Sequence, residues 1–478
     1  MELTKENVAE VIKKSQLLLE EDKSISPAVR GVMSLLMIFI VMMFDRLNLN
    51  SQNSSIPPAS DLNRKKQGQS GRSNKKPGGQ HGHIGKKLNK VTDPDEVKVI
   101  EWDRSALPKG NYTEAGYESR QVFDFKVLTH VTEYRAQVLK DSQGKRHVAP
   151  FPDHIKAATQ YGPHVKASAV YMSQFQLLPY GRIADYFSDQ LGLPISQGTL
   201  FNFNKEAYRR LEKFEEMAKL KLINSRCIHV DETGINLDGK RIWLHTACNQ
   251  FWTQFCAHKK RGREGMDAAG ILQEFKQVMV HDFWKPYYTY ECQHALCNAH
   301  LQRELTWSAE EDGQTWAKQM KDLLSTAHQE VIKAGGMLGD LKQQQLQVSY
   351  QQILKEAQIE CHCANRPPGQ KKRGRIKQSK SRNLLERFMK HPSDILRFTR
   401  DRHVPFTNNQ GENDLRMTKV QQKISGCFRS EEGVNIFCRV RGYLNTCRKH
   451  ELNMLESLEK IFKGELPEFK GPDPDPGE

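Results

Sequence analysis

Cysteine is scarce and irregularly spaced in this sequence. The 478 residues contain ten cysteines, and residues 91–226 contain none. Scattered thiols, behind an acidic and helix-prone start rather than a basic leader, indicate a reduced cytosolic protein and argue against a disulfide framework. The nearest approach to a zinc motif is Cys361-His362-Cys363, which lacks a second pair of ligands at a suitable spacing. We therefore expect no zinc.

Long hydrophobic runs are lacking as well. The one membrane-like segment, residues 32–44, has 13 residues, whereas a helix that crosses a bilayer needs about 20. A helix that is apolar all round favours burial in a protein contact. We expect residues 1–47 to form self-associating helices without membrane insertion, and contact with a membrane is the alternative.

Acidic residues are absent from residues 64–90, which contain nine Lys and Arg, and the whole chain has a formal charge of +15. Such an excess favours a polyanionic partner such as nucleic acid. Residues 48–92 are rich in Asn, Ser, Gly and Pro and are predicted to be a flexible basic linker. It is either a solvated tether or an arm that contacts DNA phosphates, for which the candidates are Lys75, Lys76, Lys86 and Lys87.

The next two regions differ in periodicity. Residues 93–155 show the alternation of a small β-rich module, clearest in two strands predicted within residues 120–141. Residues 156–222 are helical, and a Gly-Leu-Pro turn precedes a second helix introduced by Ser196. This is the outline of a helix-turn-helix, whose second helix can enter a major groove. A helical hairpin without DNA binding is the alternative.

Residues 223–306 predict the first part of an α/β core. Three consecutive strands are followed by a helix at residues 266–277, a strand that ends on Asp282, a further short strand and a second helix. This order resembles an RNase H-like mixed sheet. The remaining regions are a mostly helical insertion with an exposed basic loop, the last part of the core, and a disordered tail, which are residues 307–402, 403–465 and 466–478.

Two carboxylates interrupt the first of these strands. Asp231 and Glu232 either meet water at a strand end or bind a metal. In an RNase H-like sheet the first and fourth strands are adjacent, so Asp231 and Asp282 come together, and a late helix can add Glu412. Three carboxylates at one point require cations, and oxygen ligands select Mg²⁺ or Mn²⁺. Two such ions would activate a water or 3′-hydroxyl and stabilise the leaving oxygen of a phosphodiester.

Six segments along the chain carry a family resemblance. They are "NSSIPPASD", "KKPGGQHGHIGKKL", "QYGPHVKASAVYMSQFQLLPYGRIADYFSDQLGLPISQGTL", "HVDETG", "CNAHLQREL" and "NNQGENDLRMTKVQQKISGCFRS". Together, from about residue 26 to residue 460, the chain resembles the transposase of the IS66 insertion-sequence family. The resemblance implies a DDE transposase that cuts and joins DNA at transposon ends. It also implies a bacterial, cytoplasmic protein that works on the nucleoid.

Carried over by position, Asp231, Asp282 and Glu412 are the catalytic acids and metal ligands. Glu232 competes for the metal, but neighbouring strand residues point to opposite faces, so it is expected to turn away. The motifs also imply contacts with DNA. His300 and Arg303 correspond to a family motif near the site and are expected to touch phosphate or the scissile region, and two residues expected to face DNA are Arg416 and Lys423.

One departure from the family concerns zinc. Family members commonly carry a Cys-rich zinc module between the basic linker and the helical region, whereas residues 93–155 lack its ligands. The β-rich module is therefore expected to fold without zinc and lacks the zinc-dependent basis for DNA recognition. In addition, Asn408 or Asn409 is expected to cap the helix that carries Glu412.

Three functions remain open at this point. The first is an active transposase on double-stranded DNA, at the terminal inverted repeats and the target, working as a homodimer or higher oligomer with small accessory proteins of the same element. The second is an inactive DNA-binding remnant or a repressor of the element, which the missing cysteines favour and the intact acids oppose. The third is a stand-alone RNase H-like nuclease, which shares the metal chemistry but needs no joining step.

Overall fold

The computed structural model describes residues 5–22, 24–47, 88–125, 127–362 and 378–469. The described part of residues 65–132 forms a unit of its own. The chain begins with two helices, α1 (Lys5–Glu21) and α2 (Pro27–Leu47). Apolar side chains of α2 lie open, with Leu35 67% and Phe39 59% exposed. Among the described residues, no helix combines the length and apolarity needed to cross a bilayer, and self-association through α2 stays a prediction.

The strands predicted within residues 120–141 are largely absent. In the described part of residues 93–155 the strands are β1 (Val138–Lys140) and β2 (Arg146–Val148), an antiparallel pair. The apolar side chains upstream are exposed, Val122 by 94% and Leu128 by 85%. Alternation predicts a strand only where one face is buried, and among the described residues these side chains stay exposed. The β-rich interpretation of this region was therefore wrong for most of its length.

Four further α-helices lie between β2 and the main sheet in the described residues. They are α3 (Pro163–Val170), which continues as one π-helical turn, α4 (Tyr180–Leu191), α5 (Gln197–Arg210) and α6 (Glu212–Ile223). Gly192 ends α4 at φ +61°, and the hydroxyl of Ser196 caps α5 by accepting from the Thr199 amide at 3.1 Å. Helix, turn and helix lie where the sequence predicted them. Their DNA-binding role stays a prediction.

The central sheet has five strands. They are β3 (Cys227–Leu237), β4 (Lys240–Cys248), β5 (Thr253–His258), β6 (Val278–His281) and β7 (Gln293–Leu296). Their order is β5-β4-β3-β6-β7, with β3, β4 and β5 antiparallel and β3, β6 and β7 parallel. The β3–β4 turn is tight because Asp238 and Gly239 both adopt positive φ. The core is thus a mixed α/β sheet, as predicted.

The helix predicted at residues 266–277 was wrong. The structure has a shorter and earlier helix, α7 (Arg263–Asp267), followed by turns. Gly270 lies at φ +66°, a conformation that no α-helix contains and that glycine adopts readily. Ile271 and Phe275 are nevertheless fully buried. Their helix-like spacing in the sequence therefore reflects burial in the core and not an α-helix.

Most of the described residues after β7 are helical. The α-helices are α8 (Asn298–Glu311), α9 (Thr315–Lys333), α10 (Asp340–Glu360), α11 (Lys380–Lys390), α12 (Pro392–Leu396), α13 (Asn409–Ser425), α14 (Glu431–Lys449) and α15 (Met454–Lys463). Most of the basic loop predicted after α10 lies outside the described residues. Of the predicted tail, Phe469 packs with its ring centroid 5.2 Å from that of Trp252, and residues 470–478 lie outside the described range.

Of the three apolar cores in the described residues, one packs β3, β4 and β5 against α13 and α14, and the other two lie on opposite faces of β6. Met279 of β6 points into one of these two, with α3–α6, α14 and α15, whereas Val278 and Val280 point into the other, with α8–α12. On β3, Ile228 and Val230 belong to the same core as Met279. Because successive strand side chains alternate between faces, residues 229 and 231 face the opposite side, where α13 packs against β3.

Candidate active site

Three acids that are distant in sequence lie around one point. Asp231 is on β3, Asp282 directly follows the neighbouring strand β6, and Glu412 is in the first turn of α13. The negative charges of Asp282 and Glu412 both act on Asp231 and raise its pKa. The structure thus brings together the three acids named from the sequence. Their catalytic role stays a prediction.

The electrostatics of this cluster are unfavourable without a cation. Burial is the largest cause that raises the pKa of Asp231 to about 8, followed by the charges of Glu232, Asp282 and Glu412. The Glu232 amide donates to Asp231 Oδ1 at 2.8 Å and lowers the pKa only in part. Glu412 Oε1 is buried and has no hydrogen-bond partner among the described residues. A set of carboxylate oxygens with an unpartnered member fits a hard cation such as Mg²⁺ or Mn²⁺.

The turn after β6 is shaped to present Asp282. Phe283 adopts φ +73°, an uncommon conformation for a bulky residue. Its amide donates to His281 Nδ1 at 3.2 Å, and His281 Nε2 lies 3.1 Å from His294 Nδ1. The Trp284 amide donates to Asp282 Oδ1 at 3.0 Å. Two amides and a buried histidine pair therefore fix the direction of the carboxylate.

Asn408 anchors α13 to β3. Its side chain lies 2.8 Å from His229 Nδ1 and donates to the Val230 carbonyl at 2.9 Å. Asn408 occupies the N-cap position of α13, one of the two residues expected there, but its side chain makes no cap hydrogen bond and bonds to the strand instead. A Cβ at Gly411 would lie 3.5 Å from the Asp231 Cβ, so the helix start runs close to the strand. This contact carries Glu412 to the acid cluster.

Asp414 is the other acid near the start of α13, and its environment differs from that of Glu412. Lys449 Nζ lies 2.7 Å from Asp414 Oδ2, and both side chains are only 10% exposed. The Thr253 hydroxyl donates to the same oxygen at 2.9 Å. Asp414 is therefore neutralised inside the protein and ties α13 to β5 and α14. The sequence offered no signal for this pairing, since Lys449 lies 35 positions away.

Glu232 turns away from Asp231. Its carboxylate accepts from Arg261 Nη2 at 2.6 Å and from the Tyr287 hydroxyl at 2.5 Å, and its side chain is 2% exposed. Arg261 lies between two tryptophans, 4.8 Å from the Trp243 ring centroid and 4.3 Å from that of Trp284. Strand alternation predicted this direction. The residues that hold Glu232 there were not found from the sequence.

The predicted DNA contacts lie in different places. His300, on α8, has Nδ1 3.6 Å from Glu412 Oε1, and burial lowers its pKa. Arg303 acts electrostatically on His300, and its Nε is buried without a hydrogen-bond partner among the described residues. Arg416 and Lys423 are exposed on α13. The four lysines of the basic arm, Lys75, Lys76, Lys86 and Lys87, lie outside the described residues.

Comparison with known families gives one informative match. The model of the transposase IS66 family matches residues 158–436, a range that contains all three acids of the cluster. A second model, which is described only as a family of unknown function, matches residues 36–89. No curated protein matches the chain.

Proposed function

The chain belongs to the IS66 transposase family, and we propose that it cleaves DNA at the ends of its mobile element and joins the freed 3′-hydroxyl to target DNA. The observation that carries this proposal is the meeting of Asp231, Asp282 and Glu412 beside a mixed sheet. Each comes from a different element, and burial, followed by the charges of neighbouring acids that include Asp282 and Glu412, raises the pKa of Asp231 to about 8. A protein that only binds DNA has no use for such a cluster.

An RNase H-like architecture is part of the proposal. Its support is the strand order β5-β4-β3-β6-β7, in which the first strand of the core, β3, pairs with its fourth, β6. This arrangement puts Asp231 next to the end of β6. The third acid, Glu412, then comes from α13. The helical segment from α8 to α12 then corresponds to the insertion between the second and third acids.

We assign the three carboxylates as ligands of two Mg²⁺ or Mn²⁺ ions. Bound there, the pair would activate a water or 3′-hydroxyl and stabilise the leaving oxygen. The chain's own residues supply the geometry. Asn408 and Gly411 set the distance between α13 and β3, and the His281 turn directs Asp282. The ion pair of Glu232 with Arg261 keeps a fourth carboxylate out of the cluster.

DNA would approach over a basic surface. His300 lies beside Glu412, and Arg303 acts on His300. Both are proposed to contact the scissile phosphate, and the exposed Arg416 and Lys423 are proposed to contact the flanking backbone. The Lys75, Lys76, Lys86 and Lys87 arm would add phosphate contacts that depend on salt. The α4–α5 pair is proposed to read the terminal inverted repeats.

The assembly follows from the reaction. Two element ends must be held together, so a homodimer or higher oligomer is proposed, with the open apolar side chains of α2 as the self-association surface. Small accessory proteins of the element would complete it. We propose that the protein acts on the nucleoid in the bacterial cytoplasm.

Strand transfer tests this proposal. A pre-cleaved element end, taken from the DNA that flanks the gene, is incubated with plasmid and Mg²⁺ or Mn²⁺. Joined product is expected from the wild type and from the control Glu310→Gln, an exposed acid on α8. It should disappear in Asp231→Asn, Asp282→Asn and Glu412→Gln while end binding is retained.

Each other result identifies an alternative. Binding of ends by the wild type without cleavage or joining, with the accessory proteins supplied, would mean an inactive remnant or repressor. Metal-dependent cleavage without any joining would mean a nuclease. Joining that survives Glu412→Gln would mean that the third acid was placed wrongly.

A further inference from the structure

A second group of ligand atoms shares Glu412 with the acid cluster. Cys297 Sγ, His300 Nδ1 and a carboxylate oxygen of Glu412 all lie within 4.8 Å of one another. Cys297 stands between β7 and α8, His300 is in the first turn of α8, and Glu412 is in the first turn of α13. Three rigid elements therefore converge on one point. The sequence did not single out Cys297.

Two of these atoms lack partners. His300 Nδ1 and Glu412 Oε1 are buried, lie 3.6 Å apart and make no hydrogen bond to any described residue. Buried polar atoms are normally paired, because leaving one unpaired costs about 1–3 kcal/mol. A bound cation would satisfy both atoms at once.

The separations suit a small tetrahedral ion. A nitrogen and an oxygen bound to the same zinc ion lie about 3.3 Å apart, given metal–ligand distances of about 2.0–2.1 Å. The His300–Glu412 pair at 3.6 Å is close to that value, and small side-chain movements would bring in the sulfur. Thiolate, imidazole and carboxylate together select Zn²⁺ and similar thiophilic ions over Mg²⁺.

The surroundings of the sulfur are mixed. Burial is the largest cause that raises the pKa of Cys297, and the charge of Glu412 raises it further, whereas backbone amides, that of Asn408 first, lower it in part. Cys297 precedes α8, a helix of 14 residues, so its sulfur lies at the positive end of the helix dipole. The Asn408 amide donates to Sγ at 3.1 Å. At His300, the positive charge of Arg303 is opposed by the negative charges of Glu412, Asp282 and Glu304.

We propose that Cys297, His300 and Glu412 bind one Zn²⁺ ion and that this ion inhibits strand transfer by withdrawing Glu412 from the acid cluster. The inhibition rests on the proposed function, whereas the binding of the ion does not. Three protein ligands leave a fourth position for water. This proposal departs from the sequence-based expectation of no zinc, which rested on the absence of cysteine from residues 91–226 and on the weak Cys361–Cys363 motif and did not consider Cys297.

Cobalt substitution tests the binding without any activity measurement. Titration of the full-length, metal-free protein with Co²⁺ should give a sulfur-to-cobalt charge-transfer band that saturates at one ion per chain. Cys297→Ser should abolish the band, and His300→Gln should weaken Co²⁺ binding at least about tenfold. Asp231→Asn and Cys292→Ser should keep it. A band that persists in Cys297→Ser, or that is lost in Cys361→Ser instead, would overturn the site.

Zinc inhibition tests the second half of the proposal. Strand transfer in Mg²⁺ is measured with increasing Zn²⁺, and each protein is compared with its own activity without Zn²⁺. Half-inhibition of Cys297→Ser should require at least about ten times more Zn²⁺ than that of the wild type. Equal sensitivity would overturn the inhibitory role. Absence of joining by the wild type in every metal would refute the proposed function, and the cobalt titration would still decide the site.

Discussion

Asp231 makes the stability of the metal-free protein depend on pH in a direction that is unusual for a carboxylate. Its pKa is raised from 3.8 to about 8, mainly by burial and then by Glu232, Asp282 and Glu412. The folded state therefore keeps a proton that the unfolded state releases. This contribution to stability is complete below about pH 4 and is lost as the pH rises through about 8.

The magnitude follows from proton linkage. Between the two pKa values the contribution falls by about 1.4 kcal/mol per pH unit, which is roughly 3–4 kcal/mol between about pH 5 and about pH 8. Asp231→Asn removes the titration while keeping the shape of the side chain and an oxygen that can accept from the Glu232 amide. We expect the variant to gain stability relative to the wild type by this amount as the pH rises.

Urea unfolding in a chelating buffer, followed by tryptophan fluorescence at several pH values, measures the difference. Histidines whose pKa is lowered by burial, such as His229 and His281, act in the opposite direction, but they act equally on both proteins and cancel. The control Glu310→Gln should give a curve parallel to that of the wild type. Saturating Mg²⁺ should remove most of the wild-type slope. Parallel curves for the wild type and Asp231→Asn would refute the reasoning.

Three further predictions concern the surroundings of the site. Lys449→Met leaves the buried carboxylate of Asp414 without its cation and should lower the free energy of unfolding in urea by about 3–5 kcal/mol. A decrease of less than about 1 kcal/mol would contradict the buried ion pair. Gly265→Ala places a methyl group against the Lys260 carbonyl oxygen and should cost about 1–3 kcal/mol; an unchanged thermal midpoint would count against this contact. Arg416→Ala should reduce the slope of log binding constant against log salt concentration by about the value of one phosphate contact, whereas the control Lys318→Ala should leave this slope unchanged. Equal slopes for Arg416→Ala and the wild type would exclude the contact.

Local signals predicted much of the sheet. Asp238-Gly239 marks a two-residue turn and Asn249 orders the next one, since its side chain accepts from the Phe251 and Trp252 amides. Residues 120–137 carried an equally clear alternation but form no strand in the described part. An alternating pattern predicts which face of a strand would be buried. It does not show whether another element packs against that face.

The residues of the site likewise include some that the sequence predicted and some that it did not. Asp231, Asp282 and Glu412 could be named from the resemblance and from the adjacency of the first and fourth strands. The residues that hold the surroundings of the site in place could not be named from the sequence, because they are distant in it. Arg261 binds Glu232 across 29 positions, and Cys297 accepts from the Asn408 backbone amide across 111. Such contacts depend on how the helices pack against the sheet, and local sequence propensities do not determine this packing.

Metal rescue tests the central claim most directly, because it asks whether a named acid binds the reactive ion. Asp282→Cys replaces an oxygen ligand with sulfur, which Mg²⁺ binds poorly and Mn²⁺ accepts better. The account predicts that strand transfer by Asp282→Cys is lost in Mg²⁺ and partly restored in Mn²⁺, whereas Asp282→Ala is inactive in both. Equal joining by Asp282→Cys in the two metals, or none in either while DNA binding is intact, would contradict it.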